Sequence, residues 1–180
     1  VVDHQRKINI NKDKHAKIEI ITEKKVMCVE SHINKMQIVT IKIRGFQNRI
    51  QGILIFEDAE WYILIHNEVD YVLNGIVYIN KKHVLHVETI SPNNLLYKIL
   101  FIKFNNNTQL LNYIPNNDIN TLNTKGDLIG ITCGRETSMY VGKIVKMHKK
   151  SFSFKTYSTS AIPLEMIDIR IETIRCISVF

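Results

Sequence analysis

Basic side chains cluster at two places in the sequence where a turn is expected. The first group follows one apolar run and the second straddles the end of another; together they are Lys81, Lys82, His83, Lys143, Lys146, Lys149 and Lys150. Ammonium groups on such turns can contact phosphates without reading base sequence. Lysine also protects exposed sheet edges against aggregation, so a solvated strand edge is the alternative. These seven residues are the candidate nucleic-acid contacts.

An acidic turn between two apolar runs supplies the second set of candidates, Glu57, Asp58, Glu60 and Trp61. Carboxylates perform acid–base chemistry only where the fold brings them a partner, and a solvated hairpin turn is the simpler interpretation. Trp61 could stack on a base, or it could belong to the core. We treat this turn as a candidate contact for a partner protein.

The sequence contains no recognisable motif for catalysis, metal binding or cofactor binding. His83 and His86 have metal-like spacing, but residues three apart on a strand face opposite sides and would not chelate one ion. The seven glycines are scattered without a phosphate-binding loop, and no serine lies in a nucleophile elbow. The sequence therefore predicts a protein that is not an enzyme and has no catalytic residues, metal site or cofactor.

Cysteine usage and hydropathy bear on the compartment. The three cysteines (Cys28, Cys133 and Cys176) are odd in number and widely spaced. Such a pattern argues against a disulfide framework and favours a reducing environment. The apolar runs are too short to cross a membrane, and the start shows no basic-then-apolar signal peptide. We expect a cytoplasmic protein without a membrane partner.

Composition favours β structure. The 180 residues include 30 Ile and only three Ala, and Ile suits strands whereas Ala suits helices. An AT-rich genome would also enrich Ile, Asn and Lys, but the apolar periodicity supports β structure independently. The net charge of +7 permits a polyanionic partner without requiring one.

Strand-like runs follow one another between residues 38 and 90, separated by turns. They cover residues 38–43, 50–56, 61–65, 71–79 and 84–87. Five short strands with frequent turns predict a small antiparallel barrel. Residues 91–104 begin with Ser-Pro and fit either a helix or a buried strand, and the Asn-rich stretch after them favours loops.

The C-terminal part repeats the apolar pattern of the first barrel without gaps at an offset of 90 residues. Gly52 then aligns with Gly142, Ile79 with Ile169, and the turn at 57–60 with the turn at 147–150. This spacing predicts two tandem small barrels, against the alternative of one larger β domain. The expected organisation is a basic arm or extra strand (1–25), a first barrel (26–90), a connecting segment (91–126) and a second barrel (127–180).

The first barrel resembles the Sm-like superfamily, within the wider group of SH3-like barrels. The resemblance rests on "VTIKIRG" (39–45), "GILIFEDAEWYILI" (52–65) and "NGIVYINKKHVLHVE" (74–88). It implies a five-stranded bent sheet with an N-terminal helix and RNA contacts at the last loop. Trp61-Tyr62 stands where RNA-binding members have an Asn after the turn aspartate, and Asn80-Lys81 replaces their Arg-Gly.

Two functions remain open on the sequence. The first is a non-catalytic module that binds RNA or single-stranded DNA through a basic surface. The second is a protein-interaction module, such as a small immunity or assembly subunit, that docks a partner protein or another copy of the chain.

Overall fold

The computed structural model describes residues 36–67, 72–106, 122, 128–136 and 138–179. The chain divides between Met36 and Gln37, and the strands and helix of the described residues lie in the second unit, Gln37–Phe180. The predicted basic arm, the start of the predicted first barrel and most of the Asn-rich segment lie outside the described residues.

Ten strands and one α-helix form within these residues. The strands are β1 (Gln37–Ile43), β2 (Ile50–Glu57), β3 (Trp61–Asn67), β4 (Leu73–Asn80), β5 (Val84–Thr89), β6 (Ile129–Thr132), β7 (Met139–Met147), β8 (Ser151–Tyr157), β9 (Pro163–Arg170) and β10 (Cys176–Val179). Helix α1 spans Leu95–Asn106, and two short 3-10 turns cover Lys81–His83 and Ile171–Thr173. The prediction of an all-β protein that could carry one or two short helices is confirmed in this broad sense.

The sequence left either a helix or a buried strand open for residues 91–104, and the structure has helix α1 there. The Asn94 side chain accepts a hydrogen bond from the Leu96 backbone N–H at 2.9 Å, which satisfies a donor that the first turn would otherwise leave unpaired. Leu100 and Phe104, four residues apart, are buried on one face. The local cap and this spacing explain why the apolar run is helical.

All ten strands belong to a single antiparallel sheet. Their order is β5-β1-β2-β3-β4-β10-β6-β7-β8-β9, so the sheet is open, whereas two small barrels were expected. The order has two halves of the same form, because β5-β1-β2-β3-β4 corresponds strand for strand to β10-β6-β7-β8-β9. Strand β10 joins the halves by pairing with β4 on one side and β6 on the other.

Irregularities of the sheet recur at the same offset as the strands. The β2–β3 register shifts between Leu54 and Phe56, and the β7–β8 register shifts between Ile144 and Lys146, 90 residues later. The shifts near the ends of β3 and β8 show the same relation. A β-bulge bends its strand and increases the twist, so both halves curve at equivalent places.

Two glycines permit close strand contact at equivalent positions of the halves. A Cβ on Gly52 would overlap the carbonyl oxygen of Ile65, and a Cβ on Gly142 would overlap that of Lys155. Only glycine allows a neighbouring backbone to approach so closely. The repeat of glycine at the offset of 90 therefore has a steric cause.

The apolar core follows the period-two alternation of the strands. In β8, Phe152, Phe154 and Thr156 are buried while the residues between them are partly exposed. In the first half, Ile41, Leu64 and Ile79 lie in one buried cluster with Cys176 of β10. A strand of the second half thus completes the core of the first.

Among the described helices, none is both long and apolar enough to span a membrane.

Candidate nucleic-acid interface

Four turns meet where the two halves of the sheet join and enclose a cleft of about 740 Å³. We call it the junction cleft; it is lined by residues 59–61, 80–82, 149–150 and 170–172. Under the offset of 90, residues 59–60 correspond to 149–150 and residues 80–82 to 170–172. The cleft is therefore formed by the same two turns taken from each half.

Hydrogen bonds hold the acidic turn of the first half. The Asp58 Oδ1 atom accepts from the backbone N–H groups of Glu60 at 2.7 Å and Trp61 at 2.6 Å. The Asp58 N–H donates to the Trp61 carbonyl at 3.1 Å. An aspartate that accepts from backbone N–H groups of its own turn stabilises that turn locally. Trp61 is only 4% exposed and anchors the turn to the core.

The two turns of each half are joined by one equivalent backbone bond. The Lys81 N–H donates to the Glu60 carbonyl at 2.8 Å, and the Ile171 N–H donates to the Lys150 carbonyl at 3.0 Å. Further bonds cross between the halves: the Asn80 N–H donates to the Arg175 carbonyl at 3.0 Å. The cleft walls are thus held by main-chain contacts, which is the kind of support that keeps a binding site in shape.

The charged side chains that line the cleft are mostly cationic. Five cationic side chains and two carboxylates line it: Lys81, Lys82, Lys149, Lys150 and Arg170 against Glu60 and Glu172. The formal net charge of the lining is therefore +3. A concave site with a net positive charge concentrates anionic ligands.

Three of the five cations have protein partners. Lys81 Nζ lies 2.6 Å from Glu57 Oε1 and 4.3 Å from the centroid of the Tyr62 ring. Lys82 and Arg170 approach Glu172 at 3.9 and 3.6 Å, and all three of these side chains are well exposed.

The other two cations, Lys149 and Lys150, are exposed and form no ion pair with any described residue. They belong to the turn that corresponds to the acidic turn of the first half. Their ammonium groups are therefore available to an anionic ligand without breaking a bond within the described structure.

The sequence-predicted basic residues divide into two groups. Lys81, Lys82, Lys149 and Lys150 line the cleft, whereas Lys143 and Lys146 lie on β7 outside its lining. The ring of His83, in the first 3-10 turn, has Nε2 3.0 Å from the Glu172 carbonyl oxygen. His83 therefore links the two halves beside the cleft.

The residues of the predicted partner-binding turn also fall into two groups. Glu60 and Trp61 line the cleft, while Glu57 pairs with Lys81 and Asp58 caps the turn. Because Trp61 is buried, its indole offers little surface for stacking on a base.

Arg170 lines the cleft but was not among the residues predicted from the sequence. It ends β9 at the position equivalent to Asn80, so applying the offset of 90 to the last loop of the first half would have found it.

The chemistry that the described residues offer depends on their metal-ligating groups, their thiols and their cations. Within the described residues no group of three His, Cys, Asp or Glu side chains is placed to hold a metal ion. Burial raises the pKa of Cys176 to about 11 and also raises the pKa of Cys133, so both thiols stay protonated and weakly nucleophilic near neutral pH. Lysine and arginine side chains in a cleft suit phosphate or carboxylate groups.

Comparison with protein families, curated proteins and solved structures gives no match for this chain.

Proposed function

We propose that this chain is a non-catalytic module that binds RNA or single-stranded DNA in the junction cleft. One observation carries the proposal: five cationic side chains from both halves line a single cleft, and two of them, Lys149 and Lys150, have no partner among the described residues. Phosphate contacts of this kind supply most of the affinity of sequence-tolerant nucleic-acid binding.

The shape of the site favours a single strand over a duplex. The cleft is concave and bounded by four turns, whereas a duplex needs an extended basic face or an element that enters a groove. A single strand can bend so that one or two nucleotides enter such a cleft. Duplex binding is expected to be weaker at the same ionic strength.

The tandem organisation supports the same proposal. We propose that the halves are two copies of one small Sm-like barrel, at about 26–90 and 127–180, fused through the β4–β10 pairing. The repeated strand order, the repeated bulges and the two equivalent glycines support it. The Sm-like resemblance implies RNA contacts at the last loop of a barrel, where Lys81 and Lys82 lie. The free thiols Cys133 and Cys176 support a reducing compartment such as the cytoplasm.

The test is fluorescence anisotropy with labelled single-stranded RNA across a salt series. We expect Lys149→Glu/Lys150→Glu to weaken binding roughly tenfold or more, since each charged hydrogen bond contributes about 1.5–3 kcal/mol. The slope of log K against log salt should become shallower by about 1.4, because each single-strand phosphate contact contributes about 0.7.

The matched control reverses two exposed basic residues outside the cleft, Lys98→Glu/Arg135→Glu, with the same change in net charge. A cleft site predicts that this control keeps most of the affinity. Equal losses in the two variants would mean that only the overall charge matters, and no binding even at low salt would refute the proposal.

A protein partner is the second candidate, and one observation favours it. Exposed apolar side chains accumulate on and beside β7 and β9; they are Met139, Tyr140, Val145, Ile162, Leu164 and Met166. Exposed apolar side chains that are grouped on neighbouring elements can mark a protein-interaction site. If nucleic acid does not bind, this surface is the place to seek a partner, with Leu164→Ser/Met166→Ser as the disrupting variant.

A further inference from the structure

Equivalent turns of the two halves bring opposite charges to the junction cleft. Glu60 lines one wall, and Lys150, the residue 90 positions later, lines the cleft from the other half. The residues that precede them, Ala59 and Lys149, are also equivalent, and here a neutral side chain corresponds to a cationic one. The turn at 149–150 therefore brings cations to the cleft and its equivalent at 59–60 brings a carboxylate, while residues 80–82 and 170–172 add further cations from both halves.

Of the acidic side chains near the cleft, Glu60 alone has a carboxylate without a partner among the described residues. Glu57 pairs with Lys81, and Asp58 accepts two backbone N–H groups of its own turn. Glu172 lies within 4 Å of Lys82 and Arg170. The remaining carboxylate, that of Glu60, is exposed and lines the cleft with its acceptor atoms unused in the described structure.

A free carboxylate in a phosphate-binding cleft determines how a nucleotide can enter. It repels phosphate and only accepts hydrogen bonds, so it favours the part of the ligand that carries N–H donors. The phosphate then lies towards Lys149 and Lys150, and the base edge lies towards Glu60. A single strand exposes its Watson–Crick edges to such a contact, which a duplex does not.

We propose that Glu60 makes the cleft selective for guanine, and this inference rests on the proposed function. Guanine presents two adjacent donors, the ring N1–H and the exocyclic amino group, which a carboxylate can accept together. Adenine and cytosine each place one amino donor beside a ring-nitrogen acceptor. Uracil flanks its single N–H with two carbonyl oxygens that repel a carboxylate. The predicted order of affinity is guanine first, adenine and cytosine next, and uracil last.

The test compares labelled oligouridylates that carry one central guanosine, adenosine, cytidine or inosine with an all-uridine probe. A single guanosine avoids the quadruplexes that oligoguanylate forms. The full chain should bind the guanosine probe roughly tenfold more tightly than the all-uridine probe, the usual size of discrimination by one bidentate base contact. Inosine keeps N1–H but lacks the amino group, so its probe should fall between the two.

The decisive variant is Glu60→Gln, with Glu165→Gln as its control. Glu165 is exposed on β9 outside the cleft, so its substitution changes net charge equally. We expect Glu60→Gln to abolish the guanosine preference while raising the affinity for the all-uridine probe, and Glu165→Gln to leave the preference intact.

Equal binding of all five probes, or a guanosine preference that survives Glu60→Gln, would overturn the inference while leaving the proposed function standing. Failure of every probe to bind would remove both.

Discussion

Substituting the two equivalent glycines of the sheet tests whether both halves pack their strands equally closely at this position. In Gly52→Ala, the new Cβ would overlap the Ile65 carbonyl oxygen and approach the Leu64 Cβ to 3.3 Å. In Gly142→Ala it would overlap the Lys155 carbonyl oxygen and approach the Phe154 ring to 2.8 Å. These neighbours are backbone or buried side chains, so the strands themselves must separate.

The cost can be estimated from the contacts that strand separation would break. Weakening two ladder hydrogen bonds costs about 1 kcal/mol each, and overpacking adds about 1–3 kcal/mol. Each variant should therefore lose roughly 3–5 kcal/mol of unfolding free energy. The expected loss is similar at both positions because the steric cause is the same.

Gly134→Ala is the matched control, since a Cβ there meets no heavy atom within 4 Å. Its stability should stay the same or rise by up to about 1 kcal/mol, because alanine restricts the unfolded chain. Urea unfolding followed by circular dichroism gives the three free energies. If Gly52→Ala or Gly142→Ala is as stable as Gly134→Ala, the steric argument is wrong at that position.

Two further predictions concern ionisation and turn structure. The folded protein keeps the Cys176 proton up to pH about 11, whereas the unfolded chain releases it near pH 9. The free energy of unfolding should therefore fall by roughly 2–3 kcal/mol as the pH rises between these values. The Cys176→Val variant should lack this part of the fall in unfolding free energy. Asp58→Ala should cost about 1–2 kcal/mol because two backbone donors lose their acceptor, whereas Glu57→Gln, which removes an exposed ion pair, should cost less than about 1 kcal/mol in the same urea titration.

The strands were predictable from sequence because their signal is local. Alternating Ile and Val residues around Ile41, Ile53 and Val77 mark the strands, and the offset of 90 transfers them to the second half. The helix was not decided, because Ile99, Leu100 and Phe101 form an apolar run that fits either structure. The helix depends on the Asn94 cap, which is a local feature, and on the burial of Leu100 and Phe104, which is a tertiary one. The apolar pattern alone shows neither.

The candidate site was predicted only in pieces. The sequence singled out Lys81, Lys82, Lys149 and Lys150 because lysines at turns are visible in any sequence. Their meeting in one cleft depends on β10 pairing with β4, a contact between residues far apart in the chain. The same pairing brings Arg170 and Glu60 to the cleft, and no local sequence pattern predicts a pairing between strands so far apart in the chain.

The place of β10 has a consequence for folding during synthesis. It is the last strand in the chain order of the described residues, yet it lies in the middle of the sheet. Until it leaves the ribosome, β4 and β6 each lack a neighbour, and Tyr78 and Ile79 of β4 lack the strand that covers them. Domains fold as their residues emerge, and pairings between distant residues close slowly. Completion of the sheet must therefore wait for residues 176–179, and the nascent chain exposes two unpaired strand edges until then.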